Sequence, residues 1–266
     1  QVLFLCYDLL SDKTNSRFED KLLSTGCLRI LIQLSLDEIS EDVAYPILHS
    51  IVYMSFTHGR KVVEAGAIDT CLKWLDVSYS ETPTLLYAIE LVSSLVDGTD
   101  EQTVNRIAED VGSQLLNIFS WVEDIETRNC TAKCLIRIAS KVTGPSSLLE
   151  DDQFLYEIAT QSRMLFESGL ETDFGSNAEL STLIQTVCSL IIALCGERAE
   201  NYEKVTEVLP SAIQLIPKVE DQTDMRLNLL ALVHKFFSVT PQDSLIMCSD
   251  VAEHLPNFLQ WAMQLP

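Results

Sequence analysis

LLSTGCLRILIQL at 22–34 and VVEAGAIDTCLKWL at 62–75 decide the fold. In each, two large apolar residues precede a two-residue step to glycine, then a small residue, an aliphatic residue and an amphipathic stretch. Subtracting Gly26 from Gly66 gives a period of 40 residues. A period of that size is the signature of supersecondary units that bury their apolar faces by stacking on one another. A third apolar stretch closes each unit: ILHSIVYMSF at 47–56, AIELVSSLVDG at 88–98, CLIRIASKVTG at 134–144, LIIALCGE at 190–197 and ALVHKFFSVT at 231–240. FLCYDLL, its counterpart, opens the chain. Apolar residues recur at three- and four-residue spacing, as in Leu85, Leu86, Ile89, Val92, Leu95 and Val96, and β-branched alternation is scarce, so the fold class is all-α. Gly26, Gly59, Gly66, Gly98, Gly144 and Gly196 fall between apolar stretches, where a left-handed cap or tight corner is wanted.

Short first helix, glycine-marked corner, second helix and long third helix, with EAGAI followed by KWL at the corner, resemble the armadillo-repeat family. The resemblance implies one armadillo-like domain over 1–266, a right-handed superhelical solenoid of about six repeats. Its units are a third helix at 1–12, repeats at 15–56, 57–98, 99–143, 147–197 and 198–240, and a last helix pair to 266. It is clearest over 15–98; ESGLETDFGSN at 167–177 lengthens a link, and the C-terminal half also fits a HEAT-like or mixed helical solenoid. Because the chain starts at Gln1 inside an apolar helical pattern without Met, it reads as part of a longer protein.

Composition narrows the partners. The 266 residues carry 18 Lys+Arg against 39 Asp+Glu, a net charge of −21, with 47% hydrophobic residues. Such a field repels phosphate backbones and anionic headgroups, so neither nucleic acid nor membrane is expected. Apolar runs such as Leu190 to Cys195 fall short of the roughly 20 residues a bilayer span needs. The 8 cysteines sit mostly among aliphatic residues and read as reduced core thiols, which points to cytoplasm or nucleus. Cys130 and Cys134 are one turn apart, but no CxxC or HExxH accompanies them, so no metal and no cofactor are expected.

The sequence has no GxGxxG after a strand, no GxxxxGK[ST] and no GxSxG. His49, His58, His234 and His254 lie in different units, which a solenoid touching only its neighbours keeps apart. The expectation is therefore a non-enzyme. Acidic runs at Glu150–Asp152 and at Glu220, Asp221 and Asp224 read as helix caps and dipole partners.

The resemblance implies an adaptor or scaffold whose third helices line a concave groove holding an extended segment of a partner protein. Nuclear-import adaptors of this family carry Trp, then Asn four residues later, on those helices. The matching positions here are His49 and Tyr53, Glu90 and Ser94, Lys133 and Arg137, Ser189 and Ala193, then Ala231 and Lys235, so that ladder is missing. A basic row stands there instead: Lys133, Arg137 and Lys141 repeat every four residues, with Arg128 near the helix start. It is similar to catenin-type grooves, which implies a partly acidic or phosphorylated partner segment; the alternative is a row of ordinary solvated residues, or of cations favoured near a helix C-terminus. Tyr53 with His49, and Tyr87 with Glu90, flank the same groove as amphipathic anchors or pack as core. The alternative function is a nuclear-transport receptor, or a regulator of a GTPase or chaperone, that binds a folded partner. Trp74, Trp121 and Trp261 read as core residues of second helices, and Pro46 and Pro83 as structural. Leu255, Phe258, Leu259, Trp261 and Met263 leave an apolar side at the C-terminal end for further chain or a partner.

Overall fold

The computed structural model describes residues 21–77, 82–142, 151–172, 174, 177–240 and 249–262. All the regular elements among them are helical. The chain divides into two compact units, Gln1–Ser146 and Ser147–Pro266.

In the first unit, helix α1 (Cys27–Leu36) and helix α3 (Ala67–Trp74) both start at a left-handed glycine, Gly26 at φ 75° and Gly66 at φ 104°. A side chain at such a φ clashes with the backbone, so the recurring glycine is what allows each corner. Between them runs α2 (Glu41–Glu64), which joins a third helix to the following first helix through a kink at His58 (φ −132°, ψ 32°). Three longer helices follow: α4 (Thr82–Gly98), α5 (Glu101–Trp121) and α6 (Ile125–Lys141). Asp100 and Asp124 cap α5 and α6 by accepting from the amides of Thr103 (2.9 Å) and Thr127 (2.8 Å).

The third helices α2, α4 and α6 lie side by side in one layer, and α1, α3 and α5 form the other. Between the layers sit Ile47, Ile51, Met54, Trp74, Leu91, Leu95, Phe119 and Leu135, all fully or almost fully buried. Buried hydrogen bonds fix the register from one repeat to the next. Ser35 Oγ lies 2.8 Å from Thr70 Oγ1, and Trp74 Nε1 donates to the Ser35 carbonyl at 2.9 Å. Lys73 Nζ donates to the carbonyls of Ser35 (3.0 Å) and Asp37 (2.5 Å) at the end of α1. Ser55 and Ser94 share a hydroxyl–hydroxyl hydrogen bond between α2 and α4.

Several sequence expectations change here. Gly59 and Gly98 are not left-handed corners; they lie within α2 and at the end of α4, where the two backbones meet. In the expected repeat at 99–143 the described residues form two helices instead of three, with Gly112 helical and buried within α5. Gly144 lies outside the described residues.

The second unit contains α7 (Asp152–Glu171), α8 (Ala178–Cys195), α9 (Ala199–Lys204), α10 (Leu209–Leu215), α11 (Thr223–Val239) and α12 (Ser249–Ala262). Short 3-10 turns, Thr206–Val208 and Ile216–Val219, flank α10. Helix α8 packs on α11, and α7 on α10. Asp151 caps α7 through the amides of Gln153 (2.9 Å) and Phe154 (3.3 Å), while Gly196 ends α8 at φ 57°. Contrary to the reading from short apolar runs, α8 is long and apolar enough to cross a bilayer by length and composition. Its Leu183, Ile184, Val187, Cys188 and Leu190 are fully buried, as in a core helix.

Candidate partner-binding site on the third helices

An open cleft of about 540 Å³ lies along the third-helix layer of the first unit. Helix α6 supplies Glu126, Cys130, Lys133 and Arg137, which at i, i+4, i+7 and i+11 form one stripe. Helix α4 supplies a wall from Thr82 through Tyr87 and Glu90 to Ser94, and α2 contributes Phe56, 55% exposed. Apolar floor and charged rim thus share one opening.

The basic row divides by what each cation touches. Lys133 is exposed and makes no ion pair among the described residues. Arg137 Nη1 pairs with Asp97 Oδ2 at 2.6 Å, with the side chains 47% and 49% exposed, so solvent or a ligand can compete for it. Lys141 is not among the lining residues: its Nζ donates to the carbonyls of Val96 (2.6 Å) and Asp97 (2.9 Å), closing the C-terminal end of α4. Arg128 is a tether within the fold. Its Nε donates to the Phe119 carbonyl at 2.9 Å, the guanidinium stacks 5.3 Å from the Phe119 ring, and burial lowers its pKa.

Of the paired positions on α4, Glu90 faces the cleft, and burial raises its carboxyl pKa against a smaller opposing pull from Arg137. Ser94 is 1% exposed and spends its hydroxyl on Ser55 and on the Leu91 carbonyl (2.9 Å), so it joins α4 to α2. His49 packs edge-on against Tyr87 with ring centres 5.5 Å apart, and burial lowers its pKa, which favours the neutral ring. Tyr87 also meets Tyr45 edge-on at 4.8 Å, and their hydroxyls lie 3.1 Å apart. Tyr53 is half-buried on α2. Lys235 belongs to the second unit, where its Nζ pairs with Glu197 Oε1 at 2.5 Å.

Phe56, Glu126 and Cys130 were missed by sequence reasoning. Extending the Lys133–Arg137 stripe back toward the start of the helix would have reached Cys130 and Glu126. Trp121 corrects another expectation: it is 75% exposed at the end of α5, whereas Trp74 is fully buried. The Trp261 side chain and Met263 lie outside the described residues. Among the described residues no histidine lines the cleft, and burial pushes the Cys130 thiol up, away from the reactive thiolate. Among the described residues no group of three or more His, Cys, Asp or Glu is placed to hold a metal ion.

Paired layers of stacked helices repeating at this period define a helical-repeat protein. Comparison with solved structures makes the fold armadillo-like. A crystal structure of computationally designed armadillo repeat proteins for modular peptide recognition aligns at a TM-score of 0.67 with 20% identity, over 88% of this chain and 91% of that one. A designed armadillo repeat protein in complex with the peptide (KR)4 aligns at 0.64 with 18% identity over the same shares. A further designed armadillo repeat protein aligns at 0.62 with 17% identity, again over 88% and 91%. No family model and no curated protein sequence matches the chain.

Proposed function

We propose that the chain is a non-catalytic protein-interaction module, an adaptor or scaffold that holds a segment of a partner protein on the third helices of its first unit. One observation carries the reading. The ammonium of Lys133, without an ion-pair partner among the described residues, shares a cleft with the exposed Phe56 and the Tyr87 wall. An acidic or phosphorylated side chain on the partner would meet Lys133 and compete with Asp97 for Arg137, while an adjacent apolar side chain fills the floor. The designed protein that aligns with this chain in complex with (KR)4 supports the fold's capacity to hold a peptide. The described cysteines are free thiols, which supports a cytoplasmic or nuclear setting.

Selection of displayed random peptides on the chain tests this reading, with Lys133→Glu/Arg137→Glu as the site variant and Arg106→Glu as the control. Enriched peptides should lose at least tenfold in affinity on the site variant and keep it on the control, with circular dichroism and melting temperature unchanged. Failure to enrich any peptide, or equal affinity for both variants, would overturn the assignment.

A further inference from the structure

The cleft has a direction. On α6 its lining runs from Glu126 to Arg137 and on α4 from Thr82 to Ser94, so at 1.5 Å per residue it extends about 16–18 Å along the helix axes. Helix α2 contributes Phe56 alone to its lining. The opening is therefore a furrow between two helices, not a trough across three. Both helices run the same way, since Ser93 meets Cys134 and, farther along, Asp97 meets Arg137.

The furrow also selects the backbone form of its occupant. Past the first turns of α4 and α6 the backbone groups of its walls are used within those helices, no Asn or Gln among the described residues lines it, and the Ser94 hydroxyl is spent on Ser55 and the Leu91 carbonyl. An extended segment laid there would find only scattered side chains such as Glu90, Lys133 and Arg137 for its N–H and C=O groups, with no regular ladder of partners. A helix brings its backbone hydrogen bonds with it and offers an apolar stripe at the same spacing as the wall.

Charge then sets the orientation. Glu126 lies in the first turn of α6, and Lys133 and Arg137 lie about two and three turns farther on, so the furrow runs from negative to positive along α6. A helix favours acidic residues in its first turn and basic ones in its last. Its own preference and the furrow's charges agree only when the two directions are opposed.

We infer that the furrow receives an amphipathic helix of the partner, antiparallel to α4 and α6, with an acidic first turn at Lys133 and a basic last turn at Glu126. Glu90, midway, takes a neutral donor from the central turn, because covering it unpaired would bury a charge. This rests on the partner-binding reading above and adds the form, register and direction of the bound segment.

The test uses three displayed libraries of 14-residue peptides with randomised apolar positions at i, i+4 and i+7. One is acidic at the start and basic at the end, one has the reverse polarity, and one carries a central proline. The acid-first library should yield binders at least tenfold tighter than their polarity-reversed twins. Glu126→Lys/Lys133→Glu, two exposed positions, should invert that preference with the circular-dichroism spectrum unchanged. Proline-containing peptides that bind as well would overturn the helical form and leave the partner-binding reading standing. Equal affinity for both polarities would overturn the orientation. Absence of any Lys133-dependent binder from all three libraries would remove this inference and the reading beneath it together.

Discussion

A Cβ placed on Gly59 would lie 2.9 Å from the carbonyl oxygen of Gly98, so α2 and α4 touch backbone to backbone. The approach is reciprocal: a Cβ on Gly98 would lie 2.9 Å from the Ser55 carbonyl oxygen. Neither glycine has a positive φ, so proximity, not a turn, demands them. This contact sets the spacing of two helices that both border the candidate site.

Gly59→Ala should therefore destabilise the chain despite alanine's better helix propensity. Propensity favours the variant by about 1 kcal/mol, while overpacking of a close contact costs about 1–3 kcal/mol. Urea denaturation should show a net loss of up to about 2 kcal/mol on that balance. A variant more stable than wild type would mean that the helices separate freely. Gly26→Ala should lose a similar amount for a different reason, since open space surrounds it but its φ is 75°. Gly26→Asn, which tolerates that φ, should recover most of the loss.

Legibility in the sequence followed the same division. Gly26 and Gly66 announce themselves because a left-handed corner imposes a residue type at a fixed place in each unit. Gly59 and Gly98 carry the same letter for a tertiary reason that spacing cannot separate from a corner. Helix α5 lost its corner because the apolar period runs unbroken from Val104 through Leu115 to Phe119. At the site, the stripe containing Lys133 and Arg137 was readable from helical spacing. The diversion of Lys141 to the end of α4 was not, because it depends on where a neighbouring helix stops.

Trp74 and Trp121 should respond oppositely to truncation. Trp74→Ala removes a fully buried ring and its donor to the Ser35 carbonyl, a loss of about 3–5 kcal/mol. Trp121→Ala, at 75% exposure, should stay within about 0.5 kcal/mol of wild type. In a Trp261→Phe background, acrylamide should quench mainly the Trp121 emission. Equal protection of both indoles would contradict the exposed position.

Glu90 should make stability depend on pH in the direction opposite to a salt-bridged carboxylate. Burial raises its folded pKa above the ordinary 4.5, so the folded chain holds this proton more tightly than the unfolded one. The destabilisation is full above the folded pKa and is relieved as pH falls through it toward 4.5. Glu90→Gln should therefore melt higher than wild type at neutral pH, and the gap should close on acidification. A gap that widened at low pH would show that attraction to Arg137 outweighs burial.

Lys133 and Lys141, two turns apart on α6, should separate binding from stability. Lys141 closes two carbonyls at the end of α4, and Lys141→Met should cost about 1 kcal/mol, the partly exposed share of two charge-assisted hydrogen bonds. Lys133→Met removes an exposed cation with no ion-pair partner among the described residues and should leave stability within about 0.5 kcal/mol. Affinity for peptides selected on the chain should fall with Lys133→Met and hold with Lys141→Met once the folded fraction is accounted for. If both variants lost affinity alike while only Lys141→Met lost stability, the ligand would be reaching the end of α4, and the furrow would have to extend past Arg137.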